Sequence, residues 1–398
     1  MNALVIAPQP FFSPRGTPFS VYYRTLILSE HGVQIDFLTY GQGQDVDIPG
    51  VRFIRTPAFR FLGPIKIGPS PFKLFLDCFI FWQMVWLLCT RRYDFVHAHE
   101  EAVFFALLLK PLFRFKLVYD MHSSLAQQMR NFNFSRSSLL IGLFKRLEDA
   151  SLKAADAVIT ICPDLRDYVN SIISEPAKHF LIENSLFMPV RLRQATAATS
   201  GTNGDQDAGQ VARELKRQGH PLIVYAGTLE HYQGIDLLLE AMAQVGHSLP
   251  QARCLVVGGS PAQVASYREK ARQATLAGQV IFTGQMPQHL ARQACGQADI
   301  LVSPRSEGTN TPLKIYEQLA SGIPLVATAI YSHTQVLTDK VAFLADPRPE
   351  ALAEALLKAL QDPELARGKA TAAKALYAER YAEAAYRGKI ANLLHWLR

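Results

Sequence analysis

The sequence predicts an α/β protein made of two doubly wound, Rossmann-like domains, and three observations carry that reading. Short apolar runs alternate with stretches of helical periodicity along most of the chain, as strand–helix–strand units with a parallel sheet require. The alternation occurs twice, before and after a segment from Gln194 to Gly209 that is rich in Ala, Thr, Gly, Asp and Gln and has no apolar periodicity. At 398 residues the chain can form two cores of ordinary size. The boundaries that follow are 1–190 for the first domain, 191–220 for a linker, 221–375 for the second domain and 376–398 for a last charged, amphipathic helix.

In the first series, Asn2 to Ala7 is an apolar strand. The loop Phe11 to Pro18 follows, then a helical pattern ending near His31-Gly32, then a strand from Val33 to Thr39. A strand, a loop and a helix N-terminus form an anion or sugar site where backbone can approach closely, and Gly16 permits that approach. Asp45-x-Asp47 looks like a metal-binding DxD, but it lies in a Gly/Gln/Asp turn with no strand feeding it and reads as a solvated loop. Phe72 to Cys89 is the most apolar stretch, interrupted by Lys73, Asp77 and Gln83. Its readings rank as buried core helix, then interfacial helix (Trp82, Trp86 and the flanking Arg91-Arg92 suit a headgroup boundary), then membrane span. Phe95 to Glu101 is a strand ending in His97, His99, Glu100 and Glu101. Leu117 to Ser124 repeats that plan with Asp120, His122 and Ser123. Polar clusters at the ends of neighbouring parallel strands meet where open α/β sheets bind ligands. Leu147 to Ile161 is a helix running into a strand.

The second series has strands at Leu222–Ala226, Cys254–Val257, Val280–Phe282, Ile300–Ser303 and Leu325–Ala327. Its centre is Ser303 to Thr328, a strand, a polar loop from Pro304 to Asn310, a short helix and a further strand. Thr311 is the expected N-cap, Pro312 the first helical residue and Gly322 the stop. Lys314, Glu317 and Gln318 share one helix face, and Ile315, Tyr316 and Leu319 the face toward the sheet. Lys314 in the first turn and Arg305 in the preceding loop make an anion site, and Glu317 can accept hydrogen bonds from a diol. The plainer reading of Lys314 and Glu317 is a solvated i,i+3 pair.

Composition narrows the partners. Charged residues are 19% and apolar ones 49%, as in globular chains, and a net charge of +7 points to nucleic acid, nucleotide-sugar phosphates or an acidic membrane face. Lys66, Lys73, Arg91 and Arg92 bracket the apolar segment with no nucleic-acid-binding pattern between them, which favours a membrane. The five cysteines are widely spaced and read as buried free thiols in a reducing compartment, without metal-ligand spacing. Met1 leads straight into a strand pattern, so no signal peptide is expected, and the chain is placed in the cytoplasm at the inner face of the plasma membrane.

Several of these motifs resemble the retaining glycosyltransferases of family 4, the glycosyl transferases group 1, which have the GT-B fold. The resemblance lies in Asp94, His97 and His99; in Asp120 and His122; in GTLEHYQG from Gly227; and in Glu317 followed by Ala320, Gly322, Pro324 and Val326. It implies two Rossmann-like domains facing each other across a cleft, with the last helix crossing back onto the first. The implied activity is transfer of a sugar from a nucleotide diphosphate sugar to an acceptor hydroxyl. The apolar, basic-flanked first domain points to an acceptor that is lipid-linked or a cell-surface polysaccharide, and no metal or other cofactor is expected because the cations and a helix N-terminus can do that job. By residue it implies Glu317 for the ribose, His122 and Glu307 for the donor sugar, and Glu100 or Glu101 for the acceptor. Gly16, Arg305 and Lys314 would hold phosphate, and Thr309, Asn310, Gly227 and Gln233 would line the donor site. The chain departs from the family at Thr228 and Gln233, where an Arg and a Lys hold the diphosphate, and at Thr309, where the first carboxylate of Glu-x7-Glu stands. Those departures keep open an inactive sugar-nucleotide-binding or scaffold protein at a membrane, and a GT-B epimerase is a further alternative. A dehydrogenase is disfavoured because GxGxxG is absent.

Overall fold

Each strand read from the sequence above lies in one of two parallel sheets. The computed structural model describes residues 1–13, 16–59, 71–124, 138–184, 190 and 207–398. The chain divides into two units, Met1–Ala198 with Glu383–Arg398, and Thr199–Ala382.

The first unit has strands β1 (Asn2–Ala7), β2 (Gln34–Thr39), β3 (Val51–Arg55), β4 (Phe95–His99), β5 (Lys116–Met121), β6 (Ala157–Thr160) and β7 (His179–Leu181). Their order is β3-β2-β1-β4-β5-β6-β7, all parallel. Helices α1 (Gly16–Glu30), α2 (Pro71–Thr90), α3 (Ala102–Phe113), α4 (Ser138–Ala154) and α5 (Pro163–Asn170) lie between them. Side chains of β1 alternate between two cores: Leu4 and Ile6 pack with Ile80, Met84 and Leu87 of α2, while Ala3 and Val5 pack with Tyr23 and Ile27 of α1. The second unit has α6 (Ala208–Arg217), β8 (Leu222–Ala226), α7 (Ile235–Ser248), β9 (Arg253–Val257), α8 (Pro261–Gln273), β10 (Val280–Gly284), α9 (Gln288–Cys295), β11 (Ile300–Ser303), α10 (Leu313–Ser321), β12 (Leu325–Thr328), α11 (Tyr331–Thr334), β13 (Phe343–Ala345), α12 (Pro349–Gln361) and α13 (Pro363–Arg380). Its strand order is β10-β9-β8-β11-β12-β13, again all parallel. Strand order reverses between β1 and β4 in one sheet and between β8 and β11 in the other. The loops leaving the carboxyl ends of those strands diverge and leave a crevice.

Several expectations are corrected. The stretch 191–220 is not all linker, because α6 buries Ala208, Ala212 and Leu215 in the second unit's core; 191–206 lie outside the described residues, as does Lys66. α10 starts at Leu313 with Pro312 as its cap residue, and Thr311 is buried before it. Gln318, expected on the polar face, is buried. Cys78 and Cys89 are exposed, because they face outward on α2. That helix is not the buried core helix ranked first: only a third of it is buried, and Phe72, Phe75, Trp82 and Trp86 face outward. A final helix, α14 (Glu383–Trp396), belongs to the first unit and buries Tyr386, Ile390, Leu393 and Leu394 there. Each of its aliphatic side chains contributes about 1.5–3 kcal/mol.

One charge pair sits inside the first unit. Arg24 of α1 and Asp120 at the end of β5 are both fully buried, and the guanidinium donates to both carboxylate oxygens and to the Ile182 carbonyl at 2.7 Å. Burial raises the Asp120 carboxyl, but Arg24 and the neighbouring histidines outweigh it and hold it well below the usual range. Removing one member leaves a desolvated charge, so Arg24→Ala is expected to cost about 3–5 kcal/mol. All three tryptophans (Trp82, Trp86, Trp396) lie in this unit, so a urea titration followed by tryptophan fluorescence measures the loss directly. A loss below about 1 kcal/mol would mean that the pair is solvated.

Candidate active site

The first unit gathers its polar groups at the carboxyl ends of β4 and β5. His97 Nε2 donates to Asp120 at 2.9 Å, and His99 Nδ1 and His122 Nε2 share a hydrogen bond of 3.0 Å. The rings of His97 and His99 stack 4.5 Å apart, and those of His99 and His122 5.3 Å apart. Burial depresses the His122 imidazole to about 4 against the pull of Asp120, so His122 is neutral near pH 7. His97, His99 and Asp120 offer ligand atoms within 4.8 Å of one another. Arg24 contacts both Asp120 oxygens and its fixed charge opposes a further cation there, while the cluster holds the His122 ring through His99. Asp94 is at the other end of β4, where it accepts from the Asn2 amide at 2.7 Å, and takes no part.

Beyond His99 the chain turns through Glu100 at φ 49, a left-handed conformation disfavoured for a residue with a Cβ. That turn ends β4 two residues before the expected limit and starts α3. The Ser123 hydroxyl donates to Glu100 at 3.3 Å, and burial together with the Glu101 charge pushes the Glu100 carboxyl up to about 8. Glu101 pairs with Lys73 of α2 at 2.5 Å, and Asp77, one turn further along α2, accepts from the Tyr40 hydroxyl at 2.5 Å. Burial and Glu101 bring the Asp77 carboxyl up to about 7. The first turns of α2 are therefore fastened to the acidic end of β4. Gly16 stands at the N-terminus of α1, after β1.

In the second unit the loops after β8 and β11 interlock. Gly234, at φ 74, lies against the Pro304 carbonyl, where any Cβ would overlap it. Ser306 N–H donates to the Tyr232 carbonyl at 3.0 Å, Thr328 Oγ1 to the Arg305 carbonyl at 2.5 Å, and Gln335 Nε2 to the Thr309 carbonyl at 2.5 Å. His333, kept neutral by burial, spans Ser303 Oγ at 3.1 Å and the Thr328 carbonyl at 2.9 Å. This scaffold holds two cations among neutral groups. Lys314 Nζ donates to Gln233 Oε1 at 3.1 Å and lies 4.3 Å from the centre of the Tyr225 ring, while Arg305 lies 5.2 Å from that of Tyr232. Arg305 Nε also donates to the Glu307 carbonyl at 2.5 Å. Among the described residues neither cation forms an ion pair. Burial and then the Arg305 charge bring the Lys314 ammonium down to about 7.

Gly227 closes the same corner, since a Cβ there would stand 3.6 Å from Lys314 Nζ. Glu307 and Thr309 are exposed on the loop and Asn310 is half-buried beside them. Glu317 does not pair with Lys314, contrary to the plainer sequence reading; Arg292 of α9 donates to it at 2.6 Å. The structure thus brings Arg305, Lys314, Gln233 and Gly227 together, with Glu317 a turn away, and sets His122, Glu100 and Gly16 on the other unit. Sequence reasoning missed Arg24, Arg292, Tyr225 and His333. Only Arg24 had a legible signal, as a lone cation among the apolar residues of α1.

Both units of the chain are similar to known proteins. Residues 209–375 match the model of glycosyl transferases group 1, and residues 26–185 that of the glycosyl transferase 4-like domain. The alpha-D-kanosaminyltransferase of Streptomyces kanamyceticus is 24% identical over 99% of this chain and 98% of its own. One component of the phosphatidylinositol N-acetylglucosaminyltransferase of Arabidopsis thaliana is 23% identical over 89% of this chain and 74% of its own. Among solved structures, sucrose-phosphate synthase of Thermosynechococcus elongatus superposes with a TM-score of 0.74 at 21% identity, covering 99% of this chain and 98% of that one. HepE of Anabaena, solved in complex with UDP, gives 0.73 at 15% identity over 99% and 100%. The structural likenesses establish the GT-B fold, and with the two family matches they make this chain a glycosyltransferase of group 1, the family 4 type.

Proposed function

We propose that this glycosyltransferase moves a sugar, with retention of configuration, from a nucleotide diphosphate sugar to a hydroxyl of a lipid-linked acceptor. It would work in the cytoplasm, at the inner face of the plasma membrane. The observation that carries the donor half is the pair Arg305 and Lys314, two partly buried cations held by aromatic rings and an amide, at the head of α10. Two neighbouring cations partly withdrawn from water without a carboxylate between them repel each other until a dianion arrives, and a diphosphate supplies that charge. The departures at Thr228 and Gln233 fit this reading. Gln233 has become the amide that aims Lys314, and the cations come from α10 and from the loop before it.

In the reaction the bond between the anomeric carbon and the diphosphate oxygen breaks, and the acceptor oxygen bonds that carbon on the same face. The acceptor proton passes to the departing diphosphate oxygen. The protein positions and stabilises charge, with Arg305, Lys314 and the N-terminal amides of α10 neutralising the leaving diphosphate. Glu317, tethered by Arg292, would receive the ribose hydroxyls. His122, held neutral and oriented by the Asp120 cluster, would hydrogen-bond the donor sugar together with Glu307. Glu100, largely protonated at pH 7, would hydrogen-bond the acceptor hydroxyl, and Gly16 would let the backbone of the α1 N-terminus approach the phosphates.

The lipid half of the proposal rests on α2. Its first turns hold Lys73 and Asp77 against the acceptor-side acids, and the same helix exposes Phe72, Phe75, Trp82 and Trp86. An acceptor with its apolar part on that face and its hydroxyl at Glu100 satisfies both ends.

The first test is donor binding and slow hydrolysis across a panel of UDP-, GDP- and ADP-sugars. One donor should be cleaved, and Glu317→Ala and Lys314→Ala should each lower its turnover by about two orders of magnitude, the scale for losing one charge-stabilising donor. Cleavage of no donor, or of one donor unaffected by either substitution, would overturn the assignment. Glu100→Gln should keep most of the transfer and Glu100→Ala lose it, with donor hydrolysis the same in both. The Lys314 ammonium also makes donor affinity depend on pH. Its value of about 7 in the free protein rises when the diphosphate binds, so binding takes up a proton. Affinity should be flat below pH 7 and weaken by up to about tenfold per pH unit above it. Calorimetry at pH 6.5 and 8.5 checks the sign, and Lys314→Arg should abolish the slope.

A further inference from the structure

The first unit carries a second polar site, at the amino ends of its strands and so at the opposite end of the sheet from His122 and Glu100. A groove of about 650 Å³ is lined there by Gln34, Asp36, Arg52, Arg91, Arg92 and Tyr93, among others. Asp36 is buried beneath it and receives Arg52 through two bonds of 2.8 Å, Arg91 at 3.2 Å and the Tyr93 hydroxyl at 2.6 Å. One carboxylate therefore answers two guanidiniums, and Arg92 adds a third positive charge to the lining. Arg92 forms no ion pair among the described residues, and Arg52 and Arg91 are each nearly half exposed, with donors left over. The groove has positive charge beyond what its own acid neutralises, in a fork geometry suited to phosphate.

What lies beside the groove identifies the ligand. Arg91 and Arg92 directly follow the last turn of α2, a helix of 20 residues and hence about 30 Å long. Phe72, Phe75, Phe79, Trp82 and Trp86 fall on one side of it at spacings of three and four, opposite the buried Leu76, Ile80, Met84 and Leu87. Trp82 and Trp86, the two nearest the groove, are 68% and 59% exposed. Exposed tryptophans beside arginines match the boundary between acyl chains and headgroups, and a soluble phosphate would have no use for the aromatic row.

We propose that the Arg52–Arg91–Arg92 groove binds the phosphate of an anionic lipid headgroup while the aromatic row of α2 lies in the bilayer surface. This rests on the membrane reading above and adds to it a defined headgroup site remote from the acidic end of β4. The test is sedimentation of the whole protein with vesicles of phosphatidylcholine alone or mixed with phosphatidylglycerol. Arg91→Gln with Arg92→Gln, Arg92→Gln alone and Trp82→Ser with Trp86→Ser are compared with wild type, and donor hydrolysis is followed in parallel as the check on folding. The double arginine variant should bind phosphatidylglycerol vesicles about thirtyfold more weakly, at about 1 kcal/mol per arginine. It should bind phosphatidylcholine within twofold of wild type and hydrolyse donor normally. Arg92→Gln should show about a fivefold loss, and the tryptophan variant should lose both vesicle types alike.

An unchanged preference for phosphatidylglycerol in the arginine variants would overturn the headgroup site and leave the membrane reading standing. Arginine-dependent binding of glycerol 3-phosphate without any vesicle preference would overturn it in favour of a soluble phosphate. Absence of vesicle binding even at low salt would overturn the groove and the membrane reading together, while sugar transfer would still be judged by the donor panel.

Discussion

A parallel strand covered on both faces can be reached only at its ends, and this constraint orders the whole molecule. Neither sheet offers its apolar interior to a ligand, so groups that touch solvent or substrate must lie on the loops that leave the strands. His122 and Glu100 follow β5 and β4, Gln233 follows β8, and Arg305 follows β11. The reversal of strand order beside β1 and β8 splays those loops apart and makes a cradle. Chemistry is thereby confined to a few short segments, and the rest of the sequence is free to serve packing.

The two units treat buried charge in opposite ways. Asp120 is desolvated and fully answered within the protein by Arg24 and three histidines, so its charge is spent on holding α1, β4 and β5 in register and fixing His122. Arg305 and Lys314 are partly buried and, among the described residues, are answered by rings and amide groups and not by a carboxylate. A satisfied ion pair has little left with which to bind an anion, whereas two unsatisfied cations recover their desolvation cost only when a counter-charge enters. On the proposed function, the contrast separates a structural cluster from a binding one without reference to conservation.

Most of the fold was legible because the central strands are dominated by apolar residues that cannot be left solvated. The edge strands β3, β7 and β13 were not, since Val51–Arg55 is only half-buried and the other two are three residues long. Lys314, Arg305 and Glu317 were legible from their place at a helix start. Their partners were not: Arg292 lies 25 residues before Glu317 and Gln233 lies 81 before Lys314, and no local periodicity links residues so far apart. Composition also misled at α2, because a helix buried on one face and lined with aromatics on the other has the same residue content as a core helix. Only the placement of Ile80 and Met84 inward and Trp82 and Trp86 outward separates the two cases.

The same placement bears on how α2 relates to transfer. Its inner face ends at Lys73 and Asp77 in the acidic cluster that includes Glu100, and its outer face runs from Phe72 to Trp86 before reaching three arginines. A helix of this length is stiff along its axis, so an anchor at one end constrains the other. The contacts of Lys73 with Glu101 and of Asp77 with Tyr40 leave it little freedom to turn about its axis and carry the aromatic row out of line with the acids. An acceptor that lies in the same surface as the row would therefore meet Glu100 without a search in depth. The entropy of positioning would be met by the bilayer and the helix before the sugar is transferred.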